Sequence, residues 1–266
     1  MTRKLLELIN LRGKKVLVIG GGGWLGRAAV EVAVECGAEV SVAGHSPIHE
    51  FSEKKGWLLD LINKEHVKYY EVDVRKEESI SFLRAELGTK AGLDALVNCF
   101  WEGRKSGWDD STLENWLVDI DVNLNGTYRV CKAFSDDVVK TSGSILNISS
   151  MYSSVAPRAT MYKGVPQSNP PGYGAAKAGI NQLSRYLASF LGQHGVNVNS
   201  ISPGAFPFPE IVEEHPIFSE RLNEQTMLRR IGAPEDIKGI ISILISDAGS
   251  YITGQNIAVD GGWTAW

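Results

Sequence analysis

The stretch from Lys15 to Gly26, KVLVIGGGGWLG, joins a short apolar run directly to a glycine-rich turn. Its first part, Lys15–Gly20, predicts a β-strand, and Trp24–Cys36 predicts the helix that follows, because alanines and valines recur there at helical spacing. Glycines in such a turn let the backbone approach a pyrophosphate, whose charge meets the free N–H groups at the start of the helix. The stretch therefore predicts a dinucleotide-binding turn, although a glycine-rich turn can also form without a ligand.

The glycine run fits two spacing patterns. GxGxxG would use Gly21, Gly23 and Gly26, whereas GxxGxxG would begin at Gly20. The sequence leaves this choice open. The residues expected to border the cofactor here are Gly20, Gly23, Trp24, Leu25 and Gly26.

Short strand patterns alternate with longer helical patterns along the rest of the chain. The further predicted strands are Glu39–Ala43, Val67–Val74, Asp94–Asn98, Ser144–Ser149, Val196–Ser202 and Asn256–Asp260. The helical patterns are Phe51–Asn63, Glu77–Leu87, Thr112–Lys140, Gly172–Leu191 and Pro234–Ser246. Nearly continuous apolar strands separated by helices indicate a parallel sheet with helices on both faces. We therefore predict an α/β fold: one doubly wound Rossmann domain over residues 1–266, with about seven strands and its ligand crevice at their carboxyl ends.

Composition argues against several classes of partner. The 266 residues carry a net charge of −4 without basic runs, which disfavours nucleic acid and anionic membranes. The chain has neither a signal-peptide pattern at its start nor a run of about 18 apolar residues, so we expect no membrane span. Its three cysteines are widely spaced, as expected of reduced thiols in a cytoplasmic protein. The five histidines show no metal-ligand spacing, so no metal site is predicted and the expected partner is a small-molecule substrate.

The end of the second predicted strand bears on cofactor choice. An NAD enzyme of this design should carry Asp or Glu there, about 20 residues after the glycine turn. Here Ala43 is followed by Gly44, His45 and Ser46. Gly44 is expected to leave room for a 2′-phosphate, which Arg27, His45 and Ser46 could contact; the alternative is that Arg27 and His45 are solvated surface residues. The sequence therefore favours NADP(H) over NAD(H).

Tyr173 and Lys177 occupy the first turns of a predicted helix that starts after Pro170 and Pro171. A spacing of four places both side chains on one face of that helix. The phenol pKa is ordinarily near 10, and the ammonium of Lys177, together with a positively charged nicotinamide ring, should lower it toward the working pH. The pair predicts a proton-exchanging tyrosine, but Tyr and Lys at this spacing are also common on ordinary helix surfaces.

Over essentially its full length the sequence resembles the short-chain dehydrogenase/reductase family. The matching landmarks are the glycine turn, Asp73-Val74, Asn98, Asn123 in VNLNG, Ser150 in NISS, the YxxxK of Tyr173 and Lys177, Pro203-Gly204 and the terminal YITGQNIAVDGG. The resemblance implies an NAD(P)-dependent oxidoreductase that transfers a hydride between nicotinamide and an alcohol or carbonyl. It also implies a homo-oligomer, either a tetramer or a dimer.

The resemblance assigns roles to single residues. Ser150 would hydrogen-bond the substrate oxygen while Tyr173 exchanges its proton; Ser149 is the competing serine. Lys177 would hold the nicotinamide ribose and tune Tyr173, and Asn123 would anchor a water in the proton relay. Capping or backbone bonding is the alternative for Asn123 and Ser150. Around the cofactor, Asp73 and Val74 would border the adenine, Asn98 the adjoining ribose, and Pro203, Gly204 and Phe206 the nicotinamide.

Three departures from the family pattern concern the site. Trp24 replaces the middle glycine of the turn in one register. Asn98-Cys99-Phe100-Trp101 stands in place of the usual Asn-Asn-Ala-Gly, so Phe100 should lie beside the cofactor. The rings of Phe100 and Trp101 either shape the substrate pocket or fill a wider crevice. The inserted segment Ser153–Pro171 is rich in turn residues and should lie over the active site, where loops commonly set specificity.

The insertion and its surroundings suggest the substrate. Aromatic faces suit the C–H side of a sugar ring, and amides and cations suit hydroxyls or anions. We expect a polyhydroxylated substrate with or without a negative charge, such as a sugar, sugar acid or cyclitol. The insertion and the terminal GGWTAW are also similar to a subgroup found with bacterial surface-sugar and flagellin-sugar pathways. Candidate substrate residues are Trp101, Arg104, Tyr152, Arg158 and Tyr162, with Lys105, Lys163, Gln167 and Asn169 nearby.

Two other functions remain open from the sequence. An epimerase or dehydratase with a permanently bound dinucleotide would suit the GxxGxxG register, but the chain lacks the long C-terminal substrate domain of that group. A non-catalytic dinucleotide-binding protein would be expected to have lost Ser150, Tyr173 or Lys177, and all three are present.

Overall fold

A seven-stranded parallel sheet runs through the chain, in a computed structural model that describes residues 3–51, 55–103, 107–165 and 169–266. The strands are β1 (Lys15–Ile19), β2 (Glu39–Gly44), β3 (Val67–Glu71), β4 (Ala95–Asn98), β5 (Ser144–Ile148), β6 (Asn197–Pro203) and β7 (Asn256–Val259). Their order is β3-β2-β1-β4-β5-β6-β7, and every neighbouring pair is parallel. The predicted doubly wound fold is confirmed.

Helices cover both faces of this sheet. They are α1 (Leu5–Leu8), α2 (Trp24–Glu35), α3 (Gly56–Asn63), α4 (Glu77–Leu87), α5 (Leu113–Ile120), α6 (Gly126–Val139), α7 (Pro171–Leu191), α8 (Pro209–Glu214), α9 (Pro216–Glu224) and α10 (Glu235–Leu244). One apolar core joins the sheet to α2, α3 and α10, and a second joins it to α4, α6 and α7. Because both faces are covered, strands such as β5 are buried along their whole length, which explains why they read as continuous apolar runs.

The single helix predicted over Thr112–Lys140 is wrong in one respect. A π-helical turn at Asp121–Asn125 separates α5 from α6. The Asn123 side chain donates to the carbonyl oxygen of Asp119 (2.8 Å), and Thr127 Oγ1 donates to the carbonyl oxygen of Asn123 (2.7 Å). These side-chain bonds compete with regular helical pairing, and such π turns are frequent at functional sites.

Helices α8 and α9 were not predicted, although each begins with a proline at its first position, Pro209 and Pro216. Proline is favoured there because that residue needs no N–H partner. The helix expected over Phe51–Asn63 begins at Gly56, and its first part includes residues 52–54, which lie outside the described residues.

The strand order reverses at β1, which is flanked by β2 on one side and β4 on the other. In doubly wound sheets the ligand crevice opens at such a switch point, beyond the carboxyl ends of the strands. Gly20 follows β1 and Cys99 follows β4 at this edge. The fold therefore brings the glycine turn and the residues after β4 and β5 to one place.

Candidate active site

Ser150 and Tyr173 meet at the carboxyl end of β5. Ser150 follows that strand directly, and Tyr173 lies in the first turn of α7, where both residues line the same cavity. Ser149 faces away from Tyr173, because its hydroxyl donates to the backbone oxygen of Lys177 at 3.0 Å in the interior. Of the two candidate serines, Ser150 is therefore the one that faces the phenol.

Burial controls the titration of Tyr173 and Lys177. Burial raises the pKa of Tyr173; the hydrogen bond from Ser150 opposes this rise, and the nearby Tyr162 adds to it. Burial lowers the pKa of Lys177 to about 8. The Lys177 ammonium lies 5.6 Å from the centre of the Tyr173 ring and donates to the carbonyl oxygen of Ile148 at 2.9 Å.

The expected lowering of the Tyr173 pKa is thus not produced by the chain's own residues. The reason is that desolvation outweighs the nearby charge, and the Lys177 ammonium is directed at a backbone carbonyl. Tyr173 keeps its proton at neutral pH, and Lys177 keeps its charge below about pH 8. In this state the pair is suited to donating a proton.

Asn123 is fully buried in the π-helical turn. Its amide nitrogen donates to the carbonyl oxygens of Glu102 (2.6 Å) and Asp119 (2.8 Å). Its side-chain oxygen has no hydrogen-bond partner among the described residues. The side chain therefore makes the backbone hydrogen bonds that were the alternative to a catalytic role. It also keeps one hydrogen-bond acceptor that a water molecule could use. Its role in a proton relay stays a prediction.

The glycine turn is closely packed where it passes β4. Gly20 has a φ of +79°, and a Cβ there would lie 2.5 Å from the backbone nitrogen of Phe100. A Cβ on Gly26 would overlap the carbonyl oxygen of Gly20, and one on Gly21 would lie 2.8 Å from Val42. Glycines of both spacing patterns, GxGxxG and GxxGxxG, are therefore needed for packing, and the structure does not favour one pattern over the other.

The start of α2 fits a pyrophosphate. Gly23 is its N-cap, and no side chain caps that end of the helix. The first N–H groups of an uncapped helix lack partners and favour an anion. Trp24 packs against Phe208 with ring centres 5.9 Å apart, and Leu25 packs on the core beneath the turn. The residues present thus fit the phosphates of a dinucleotide.

Gly44 has a packing reason to lack a side chain. A Cβ on Gly44 would lie 2.8 Å from the hydroxyl of Tyr69, and that hydroxyl donates to the carbonyl oxygen of Ser46 at 2.6 Å. The room expected there for a 2′-phosphate stays a prediction. Arg27 is also engaged, since it pairs with Glu31 at 2.6 Å.

Arg75 is a cation that the sequence reasoning missed. Its guanidinium lies 3.4 Å from the ring of His45 and pairs with Asp73 at 2.8 Å. Hydrogen bonds from Arg75 lower the pKa of Asp73 to about 2. The only signal in the sequence was the position of Arg75, two residues after the Asp73 landmark. The adenine end of the crevice thus carries His45 and an Asp73 carboxylate that pairs with Arg75 and, at 3.6 Å, with Lys76.

The other predicted cofactor residues lie around the same crevice. Val74 and Phe100 both face Gly126, where an added Cβ would lie 3.0 Å and 3.2 Å from their side chains. The Asn98 side chain is buried in the sheet and donates to Asn147 at 2.8 Å. A ribose contact by Asn98 would therefore have to come from its backbone.

A cavity of about 280 Å³ adjoins Ser150 and Tyr173, near the lower end of the roughly 300–1,000 Å³ typical of ligand pockets. Most of its wall is apolar or aromatic. Its lining is Trp101, Gly103, Ser150, Met151, Tyr152, Tyr162, Val165, Asn169, Pro170, Tyr173, Gly204, Ala205, Phe206, Pro207, Phe208, Ile211, His215, Phe218 and Leu222. Gly204 and Phe206 thus lie on this wall, and Pro203 ends the strand that carries them.

The predicted substrate residues divide into three groups. Trp101, Tyr152 and Tyr162 line the cavity, and Trp101 makes an edge contact with Tyr173 at 5.9 Å between ring centres. Arg158 does not line it, because its guanidinium is exposed and donates to Gln225 at 2.7 Å. Arg104, Lys105 and Gln167 lie outside the described residues. The wall contributed by α8 and α9, including His215 and Phe218, was missed together with those helices.

Two negative findings apply to the described part of the chain. No helix there is long and apolar enough to cross a membrane. Nor do three or more His, Cys, Asp or Glu side chains come together there in a way that could hold a metal ion.

The geometry agrees with what comparison with known proteins finds. The model of the family described as enoyl-(acyl carrier protein) reductase matches residues 24–264. The chain belongs to the short-chain dehydrogenase/reductase family and is an NAD(P)-dependent oxidoreductase. Among its relatives is galactitol 2-dehydrogenase from Rhizobium johnstonii. It is 30% identical over an alignment 276 residues long, gaps included, that covers 98% of this chain and 98% of that protein.

Two solved structures share the fold. One, from Agrobacterium tumefaciens, is provisionally described as a 2-deoxy-D-gluconate 3-dehydrogenase and contains NADP; it is 28% identical, with a TM-score of 0.80 over 97% of this chain and 99% of that one. The other, a short-chain dehydrogenase from Leptospira borgpetersenii with bound NAD+, is 27% identical, with a TM-score of 0.83 over 99% of this chain and 97% of that one.

The glycine turn yields a direct test. Gly26→Ala should lower the affinity for NADPH about tenfold or more, because its Cβ overlaps the Gly20 carbonyl and overpacking costs about 1–3 kcal/mol. Gly22→Ala is the matched control, since its Cβ would lie 3.5 Å from Leu58, an ordinary contact. Fluorescence titration of NADPH measures both. Wild-type affinity in Gly26→Ala would refute the packing argument.

Proposed function

We propose that this enzyme interconverts a secondary alcohol and a ketone on a small, neutral, polyhydroxylated substrate, with Ser150, Tyr173, Lys177 and Asn123 as its catalytic residues. The observation that carries the proposal is that Ser150 and Tyr173 lie together on the wall of one cavity. A donor pair at one point of a mostly apolar wall suits a carbonyl oxygen that gains charge during reaction.

The residues divide the chemistry between them. A nicotinamide bound in the crevice would supply the hydride in reduction and would accept it in oxidation. In reduction, the Tyr173 hydroxyl donates its proton to the substrate oxygen while Ser150 donates a hydrogen bond to the same atom. In oxidation the alcohol proton returns to Tyr173. Because burial raises the Tyr173 pKa, Tyr173 is held at neutral pH in the protonated form that the reduction step requires.

Lys177 and Asn123 support this exchange. Below about pH 8 the Lys177 ammonium is charged beside the Tyr173 ring and would hold the nicotinamide ribose. The unpartnered side-chain oxygen of Asn123 would accept a hydrogen bond from the water that returns the proton. Both roles agree with the family resemblance.

The wall of the cavity supports a neutral polyol or cyclitol. Its aromatic rings, Trp101 among them, suit the C–H face of a sugar-like molecule, and the tyrosine hydroxyls and Asn169 suit its hydroxyl groups. No Lys or Arg belongs to the described residues that line the cavity, so an uncharged substrate is favoured over a sugar acid. The relative from Rhizobium johnstonii is named for a sugar alcohol, galactitol.

The test is a screen of dinucleotide reduction and oxidation over polyols, cyclitols, sugar acids and hydrophobic ketones. Neutral polyols and the ketones derived from them should give the highest kcat/KM. Tyr173→Phe keeps the ring and should lower turnover on the order of 10²-fold or more. Near wild-type kcat in that variant, or a preference for hydrophobic ketones, would refute the proposal. An epimerase or dehydratase would convert its substrate without net change in nicotinamide absorbance.

For the cofactor we favour NADP(H) over NAD(H). No carboxylate follows β2 to repel a 2′-phosphate, and Arg75 lies beside His45. His45→Asp should shift the preference toward NADH about tenfold by like-charge repulsion, measured as the ratio of the two dissociation constants. His66→Asp adds the same charge at the amino end of β3 and should leave the ratio unchanged. Tighter binding of NADH than NADPH by the wild type would contradict this preference.

The enzyme is further proposed to be a cytoplasmic homo-oligomer, either a dimer or a tetramer. Its three cysteines are all free, as in reducing compartments. Tyr186 and Phe190 stack on the exposed side of α7 with ring centres 6.4 Å apart, and Leu117 is exposed on the neighbouring α5. Exposed apolar surface of this kind often marks an interface. Phe190→Glu should lower the mass measured by light scattering, whereas Tyr251→Glu, at a fully exposed site, should not. A monomeric wild type would refute the assembly.

A further inference from the structure

Tyr152 and Tyr162 form a hydroxyl pair inside the substrate cavity. Tyr152 lies two residues after Ser150 on the short turn Met151–Ser153, and Tyr162 ends the turn Ala159–Tyr162 of the inserted segment. Their hydroxyl oxygens are 2.9 Å apart. Both residues line the same cavity as Tyr173. The insertion thus adds a second polar point to the wall that carries the reactive hydroxyls.

Both tyrosines are held in place by neighbouring elements. The Tyr162 ring packs on Phe218 of α9 with ring centres 5.6 Å apart, and Arg221 of the same helix donates to the backbone oxygen of Lys163 at 2.6 Å. The turn that carries Tyr152 is capped by Ser150, whose hydroxyl oxygen accepts the Tyr152 N–H at 3.2 Å. The pair is therefore arranged before any substrate binds, which lowers the entropic cost of binding.

The pair is also close to the reacting group. Burial raises the pKa of both Tyr152 and Tyr162, and the proximity of Tyr162 contributes to the raised pKa of Tyr173. All three phenols are consequently neutral at physiological pH. They differ in their neighbours, because Tyr173 lies beside Ser150 whereas the hydroxyls of Tyr152 and Tyr162 are hydrogen-bonded to each other.

The hydrogen bonds left over in the pair match an alcohol. A phenol offers one donor and two acceptor lone pairs. Once one tyrosine donates to the other, the pair keeps one free O–H donor and spare acceptor capacity. A substrate hydroxyl can use both, whereas a carbonyl or carboxylate can only accept and an ammonium can only donate. The surrounding wall, with Met151, Phe218 and Leu222, is apolar.

We propose that Tyr152 and Tyr162 form a subsite for a second substrate hydroxyl, so that the enzyme acts on diols and the hydroxyketones derived from them. The reacting carbinol lies at Ser150 and Tyr173, and the neighbouring hydroxyl lies at the tyrosine pair. This inference rests on the proposed alcohol–ketone interconversion and names the feature that its substrates share.

The test compares cyclohexane-1,2-diol with cyclohexanol, which differ by one hydroxyl on the same ring. The wild-type ratio of kcat/KM, diol over mono-ol, should be about tenfold or more, since an unmatched polar site rejects the analogue that lacks the group. Tyr152→Phe and Tyr162→Phe should each bring the ratio close to one. The double variant should lower it no further, because the two hydroxyls act as one unit. Tyr251→Phe, at the fully exposed site, is the matched control and should keep the wild-type ratio.

The contrary results are distinct. A wild-type ratio near one, or a ratio unchanged in both Phe variants, overturns the subsite. An equal loss on both alcohols with a shifted pH profile would assign the pair to the proton path of Tyr173 instead, and this also overturns it. If no alcohol or ketone reacts, the proposed function has failed. In that case, calorimetry of diol and cyclohexanol binding to the NADPH complex tests the subsite alone. Tighter binding of the diol than of cyclohexanol by the wild type, with equal binding of the two by Tyr162→Phe, supports the subsite. Any other result refutes it.

Discussion

The structure depends on the absence of side chains at Gly20 and Gly26. Because these two residues have no side chains, the turn after β1 packs directly against the backbone at the end of β4 on one side. On the other side, the first turn of α2 packs directly against the carbonyl group of Gly20. Any Cβ at Gly26 would separate α2 from the strand that it follows. The N-cap of α2 is Gly23, which has no side chain, so this helix starts uncapped at the switch point of the sheet. The glycines of one turn thus provide both the close packing and the free N–H groups that favour an anion.

Burial sets the chemistry of the site more than charge does. The ionised forms of Tyr173 and Lys177 are both disfavoured because each group has lost water, so that their pKa values move in opposite directions. A positively charged nicotinamide would act against this desolvation on the Tyr173 side. The proton-donating state of the enzyme is therefore built into the fold, while a proton-accepting state depends on the bound partner.

The part of the molecule that distinguishes this chain from its family pattern lies on one side of the cavity. The inserted segment and α9 pack on one another through Met161, Phe218 and Leu222, in a small apolar cluster that also includes Met151 and Ala205. Tyr162 is carried by this unit, whereas Tyr152 lies on the turn that directly follows Ser150. The tyrosine pair therefore joins the inserted segment to the part of the sheet that carries the proton-exchanging groups.

The features that could be predicted from the sequence are those that depend on residues close together in the chain. Strand and helix periodicity, the glycine turn and the four-residue spacing of Tyr173 and Lys177 are properties of neighbouring residues, so the sequence by itself determined the parallel sheet and the location of the site. Directions of side chains depend on distant partners, and only the tertiary structure decided them. Ser149 turns to the Lys177 backbone and Arg158 to Gln225, 28 and 67 residues away. Gly44 accommodates the hydroxyl of Tyr69 from the adjacent strand. No local sequence pattern encodes those contacts, because each partner is distant in the chain and comes close only in the folded protein.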